Sequence, residues 1–231
     1  MPGSSRSSTG PTDAPPTSLT WPRSLAALAV SAAFAVLHTW PLASDLPGLS
    51  RLDNADAALN TWAVSWVADE LPRHPTRLFD APIFHPERYT LAYSEHLVAQ
   101  GAMAIPLRAA GLSATTTYNL MVLTGLALSA WAMWLLVTHW TGDPWAGAVA
   151  GLAFAFNAHT LTRFGQIQGL HLEFLPLVLL GLDRVAARGA ARDGVLLGAG
   201  IALVGLTSVY LLVFAAGSVA VGLLARVGDW R

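Results

Sequence analysis

Residues 118–137, YNLMVLTGLALSAWAMWLLV, carry no charged side chain. About 20 apolar residues in a helix rising 1.5 Å each cover the roughly 30 Å hydrocarbon core of a bilayer. The stretch therefore reads as a membrane-crossing helix. Working outward, similar runs lie at 24–40, 145–159, 172–187, 195–209 and 211–224, the third and sixth spans being short. The expected fold is all-α, a polytopic transmembrane helical bundle of six spans with a long external loop, 43–117, that carries juxtamembrane helices.

Composition agrees with lipid as the main solvent. Of 231 residues, 54% are hydrophobic and only 12% charged, against about a quarter charged in soluble domains. The mean hydropathy is +0.49. A net charge of −1 with no basic stripe gives no reason to expect nucleic-acid binding. The chain has no Cys, which excludes disulfides and thiolate metal sites. Residues 1–20, rich in Ser, Thr, Pro and Gly, read as a disordered cytoplasmic tail. The run that follows, bracketed by Trp21 and Trp40, is too long for a cleaved leader and reads as a retained anchor. The remainder, 21–231, forms one membrane module.

Arginine placement sets direction. Arg184, Arg188 and Arg192 cluster between the fourth and fifth spans, and Arg226 and Arg231 follow the sixth. With Arg6 and Arg23 at the other end, the N-terminus is expected in the cytoplasm, in a multi-pass protein of the cytoplasmic (inner) membrane. The segment 95–111, EHLVAQGAMAIPLRAAG, is short and interrupted by Pro106 and Arg108. A full span there would invert everything after it, so it reads as a re-entrant or juxtamembrane helix with both ends outside.

Inside the loop, DNADAALNTWAVSWVADEL (53–71) places Leu59, Trp62, Ala63, Trp66 and Val67 at helical spacing, an apolar face for an interfacial helix. Asp56 and Asn60 share another face, and Asp53 is placed to cap the helix. The next stretch, 71–90, has four prolines and reads as an ordered loop without helix. No internal repeat or heptad is present, nor any P-loop, GxGxxG, GxSxG or HExxH pattern.

What remains is polar residues gathered on one expected side of the membrane. Asp56 there has the chemistry to hold a divalent cation or to act as general base on a hydroxyl. Equally, it fits as a first-turn charge complementing a helix dipole. Glu95 and His96 open the 95–111 helix, either as a catalytic pair or as a dipole partner with its neighbour. Arg163, among Asn157, His159, Gln166 and Gln168, has a fork suited to phosphate oxygens, or else contacts lipid headgroups. His171 and Glu173 either contact a ligand or cap the fourth span. His38 reads as an interfacial residue.

The order of these blocks resembles the N-terminal part of the GT-C superfamily, membrane glycosyltransferases that use polyprenyl-phosphate-linked sugars, and more closely its mannosyltransferase-like bacterial members. The residues carrying the likeness are DNADAALNTWAVSW, LFDAPIFHPERYTLAYSEHLVAQ, YNLMVLTGLALSAWAMWLLV, WAGAVAGLAFAFNAHTLTRFGQIQGLHLEFLPLVLLGLDR and LTSVYLLVF, over 46–214. The resemblance implies transfer of a sugar from a lipid-linked donor to an acceptor on the extracytoplasmic side. It implies Asp56 and Glu95 as catalytic carboxylates and Arg163, Gln168, His171 and His96 as substrate-binding residues. It also implies membrane lipids as surroundings and a divalent metal, Mg or Mn, as cofactor. Relatives place a second acidic residue in the next external segment, whereas this chain has no Asp between Asn157 and Leu170. Relatives also continue for as many spans again, so the resemblance implies a C-terminal half as partner to a chain truncated after its sixth span. Two other classes compete: a lipid-linked substrate transporter, which needs polar residues along its spans, and a non-catalytic membrane subunit.

Overall fold

Apolar runs without interior Gly-Pro breaks become long helices. The longest is α4, Ala114–Thr141, started by the Ser113 hydroxyl accepting from Thr116 N–H and ended at Gly142, whose φ of 71° suits a glycine. The computed structural model describes residues 19–49 and 55–225. Among them no strand occurs, and the chain is all-helical. The expected tail at 1–18, the capping residue Asp53, Arg6, Arg226 and Arg231 lie outside the described residues.

The other helices are α1 (Trp21–His38), α2 (Ala55–Glu70), α3 (Val98–Ala109), α5 (Pro144–Ala155), the single turn α6 (Ala158–Leu161), α7 (Phe174–Arg188), α8 (Ala191–Thr207) and α9 (Val209–Ala225). Two of them, α1 and α4, are long and apolar enough to cross a membrane, and α9 is a shorter apolar helix. The 71–90 stretch contains only a short 3-10 turn, Pro75–Arg77, and the start of another, Thr90–Tyr93.

Two expected boundaries moved and one buried face proved broader, each for a local reason. The run 145–159 does not continue as one helix. It stops at Ala155, because the Asn157 side chain accepts from His159 and Thr160 N–H in a capping box that starts α6. The resulting α5 is about 18 Å long, shorter than a bilayer core. The 95–111 helix begins only at Val98. Leu97 precedes it with φ 49°, so Glu95 and His96 stand outside the first turn and Glu95 is not a dipole partner there. In α2 the apolar face is broader than its period suggested. Ala63 and Val67 are buried, but so are Val64, Ala68, Asn60 and Thr61, while Leu59 is exposed. Neighbours on several sides of α2 explain this, since Asn60 bonds to the segment after α6 and Trp66 Nε1 donates to the Leu78 carbonyl at 2.9 Å.

Around α4 the bundle assembles by direct bonds. Trp131 Nε1 donates to Ser24 Oγ at 3.0 Å, so the start of α1 lies beside the far half of α4. At the opposite end of α1, Phe34 and His38 pack on Phe156 at the end of α5. The α5 helix meets α4 through Gly147 and Gly151, four residues apart, a spacing that lets backbones approach. A Cβ at Gly151 would stand 2.5 Å from the Ala130 carbonyl, and one at Gly147 would overlap Thr138 Oγ1.

The start of α7 is tied to the middle of α4. Ser129 Oγ accepts from Leu172 N–H at 2.8 Å, and its proton is shared between the Leu170 carbonyl (2.9 Å) and Glu173 Oε2 (3.3 Å). His171 bridges Glu173 Oε1 at 2.8 Å and the Met121 carbonyl at 3.0 Å. At the other end of α7, Trp140 Nε1 donates to Asp183 Oδ2. The α2–α3 pair is locked by Arg108, which forks onto both Asp69 oxygens at 3.2 and 2.8 Å and also donates to the Leu112 carbonyl.

Replacing Gly151 with Val should destabilise the folded protein by about 1–3 kcal/mol through overpacking against a carbonyl that cannot move away. Gly198→Val, where nothing lies within 4 Å, is the control and should cost less. Denaturant titration in detergent micelles reads both, and equal losses would mean that α5 does not sit this close to α4.

Candidate functional site

The first turn of α2 and the irregular stretch after α6 are far apart in sequence and meet at the end of the bundle where α4 begins. Two bonds to backbone carbonyls bring them there. Asn60 Nδ2 donates to the Gly165 carbonyl at 2.7 Å, and the Tyr118 hydroxyl donates to the Phe164 carbonyl at 2.8 Å. Both anchoring side chains are buried, as are Phe164 and Ile167. The side chain of Asn119 donates to the Leu46 and Leu49 carbonyls at 2.9 and 2.6 Å, which draws the start of the 43–117 loop onto the same end.

On this footing a chain of polar side chains forms. Gln166 Nε2 donates to Asp56 Oδ2 at 3.0 Å, and Arg163 Nη1 donates to Gln166 Oε1. Arg163 Nε donates to His159 Nε2 at 3.4 Å, which makes that ring nitrogen an acceptor. The amide of Gln166 thus sits between a carboxylate and a guanidinium, using each end for the partner it suits. Asp56 is exposed and Arg163 half-buried. A guanidinium has five N–H donors, and these bonds use two of them.

The expected site residues divide into groups. Asp56 and Arg163 are brought together, through Gln166. Glu95 stands in a different environment, where its Oε1 accepts from Ser208 Oγ at 2.9 Å and its Oε2 is enclosed without a donor. Beside it, His96 is half-buried, and its Nδ1 accepts from Val98 N–H at 3.3 Å. Burial holds the His96 pKa below the usual imidazole value, only partly offset by the Glu95 charge and a bond with the Gly205 backbone. Gln168 makes no bond to Asp56, Gln166 or Arg163, and its Oε1 is enclosed without a donor. His171, 1% exposed, belongs to the Ser129–Glu173 network and does not reach the Asp56 chain. Gln166 and Asn60 are the two central residues whose roles sequence reasoning missed. The one signal for Asn60 was its place a turn from Asp56.

Among the described residues, the donor set around Asp56 does not fit a divalent cation. Such ions favour several oxygen ligands with carboxylates among them. Here one carboxylate is joined to an amide that carries a guanidinium, and a second positive charge next to Arg163 is repelled. Among the described residues no group of three or more His, Asp or Glu is placed to hold a metal.

A second pairing shapes the loop. Arg88 Nη2 donates to Asp80 Oδ2 at 3.1 Å, and Tyr89 N–H donates to Asp80 Oδ1. These bonds hold the Asp80 pKa below the ordinary carboxylate range, the Arg88 bond most of all.

The lowered His96 pKa has a consequence for stability. Between its folded value and the free value of about 6.5, the unfolded chain binds more protons, so stability rises with pH through that window. The contribution is complete above about pH 6.5 and is lost as pH falls below it. Melting in detergent should therefore drop from pH 7.5 to pH 5, and His96→Gln should make the drop smaller. An unchanged slope in the variant would remove His96 as the cause.

No family model matches this chain, and no curated protein or solved structure matches it.

Proposed function

We propose that the chain is a membrane-embedded glycosyltransferase, or its N-terminal portion, moving a sugar from a polyprenyl-phosphate donor to an acceptor hydroxyl outside the cytoplasm. The observation that carries this reading is the Asp56–Gln166–Arg163 chain. It joins a carboxylate from the long loop to a guanidinium from the next polar segment, the two roles that the GT-C resemblance assigns.

In this mechanism Arg163 holds the donor phosphate through its fork. Asp56 takes the proton of the acceptor hydroxyl as that oxygen attacks the anomeric carbon. The bond from that carbon to the phosphate oxygen breaks, and polyprenyl phosphate leaves with its charge met by Arg163. Displacement in one step inverts the anomeric centre. Gln166 is the positioning residue, holding base and phosphate clamp at a set separation.

The same proposal includes six membrane passages in the cytoplasmic (inner) membrane with the N-terminus inside. Supporting it, α9 buries only Ala215 and exposes Val213, Phe214, Val221 and Leu224. An apolar surface of this kind needs lipid or further helices as cover. The bond map also puts the start of α1, the end of α4 and the end of α7 at one end of the bundle, with the polar chain at the other. The short α5 crosses only together with the residues that follow it.

Two experiments test the reading. In membranes holding the full chain, Asp56→Asn should lower transfer from polyprenyl-phosphate-linked mannose about 100-fold or more, and Arg163→Lys should raise the donor KM more than it lowers kcat. Undiminished transfer in Asp56→Asn would sink the base assignment, and no transfer by the native chain would favour the non-catalytic subunit. For topology, the absence of native Cys gives a clean background. An impermeant maleimide should label His85→Cys and Thr162→Cys in intact spheroplasts, and Thr141→Cys and Arg188→Cys only after lysis. Labelling of Arg188→Cys from outside would overturn the orientation.

A further inference from the structure

A cavity of about 240 Å³ lies between α2 and the loop that leads to α3. Leu59 and Trp62 of α2 line it from one element, Ile83, Phe84 and Tyr93 from the loop, and Glu95 lines it as well. The rings of Phe84 and Tyr93 stack with centroids 5.8 Å apart, yet both residues remain more than half exposed. Phe84 keeps its place at φ 57°, a conformation that costs a non-glycine residue energy.

Among the described residues, Glu95 is the only charged group that lines the cavity. Its Oε1 accepts from Ser208, while its Oε2 is enclosed with no donor. A carboxylate oxygen without a donor is costly in such surroundings. The neighbouring ring offers little relief, because burial lowers the His96 pKa and so disfavours its charged form. The chain contains no Lys, and among the described residues no Arg lines the cavity.

We propose that this cavity binds a ligand carrying a primary ammonium group on a compact apolar body. The ammonium supplies both the missing N–H donor and the missing positive charge, and the faces of Trp62, Phe84 and Tyr93 attract a cation. Turning the unpartnered oxygen toward the cavity also turns the one bonded to Ser208, and a charge-assisted bond from the ammonium replaces that bond. An anion is repelled by Glu95. A neutral hydroxyl leaves the charge uncompensated, and a quaternary ammonium brings no N–H. The volume, below the range usual for drug-sized ligands, limits the apolar body to about one ring or a short alkyl chain. Neither Asp56 nor Arg163 lines this cavity, and Glu95, which the resemblance implies for catalysis, takes no part in the mechanism proposed above.

A primary ammonium reaches the cavity either on a soluble amine or on an ethanolamine lipid headgroup, and one experiment separates the two. The full chain in phosphatidylcholine nanodiscs is titrated calorimetrically with 2-phenylethylammonium and with its neutral isostere 2-phenylethanol. The amine should bind saturably and about tenfold or more tighter than the alcohol, and Glu95→Gln should remove that preference. Leu59→Trp, which fills the cavity from its exposed side and keeps Glu95, should weaken the amine to a similar degree, so the result does not depend on how well the Glu95 variant folds. Nanodiscs with phosphatidylethanolamine then assign the source: competition with the amine points to the lipid headgroup, its absence to a soluble ligand. Equal binding of amine and alcohol, or unchanged amine binding in both variants, would overturn the proposal.

Discussion

A carboxylate and an imidazole shut inside an apolar bundle must find all their partners in the protein, and Glu173 and His171 do so against α4. They are 2% and 1% exposed. Together with Ser129 they occupy the Met121 and Leu170 carbonyls and the Leu172 N–H. Desolvating two such groups is expensive, and only close geometry with further hydrogen bonds compensates for it. The segment 170–173 therefore has one place to sit along α4. Everything just before it in the chain is carried to the end of the bundle where α2 waits.

There the anchoring is done by side chains that read backbone. Asn60 and Tyr118 bind the carbonyls of Gly165 and Phe164, so the position of this stretch depends on its path more than on its own side chains. Once the path is set, Gln166 and Arg163 project to Asp56 without needing a helix of their own. A polar chain on an irregular segment, braced from below by buried bonds, is the arrangement expected where function sits on loops held by a rigid scaffold.

The two loop carboxylates have different physics. Asp56 is exposed and shares an amide with a guanidinium. Glu95 is half-buried, with one oxygen satisfied by a hydroxyl and the other enclosed beside aromatic rings. Sequence position alone made them look equivalent, since each was expected in the first turn of a helix. The left-handed turn at Leu97 separates Glu95 from α3, and that local backbone choice is invisible to periodicity.

Helical character, the long uncharged run that became α4, the α2 helix and the gathering of polar residues between helices were legible in the sequence. Each depends on spacing within a few neighbouring residues or on a run of one polarity. The end of α5 was not, because an Asn cap inside an apolar run outweighs hydropathy there. The split of Asp56 from Glu95, the withdrawal of His171 into the bundle and the meeting of Asp56 with Gln166, 110 positions apart, belong to tertiary structure alone. Local propensity acts over one or two turns, whereas those placements follow from which buried polar groups find partners once the helices pack.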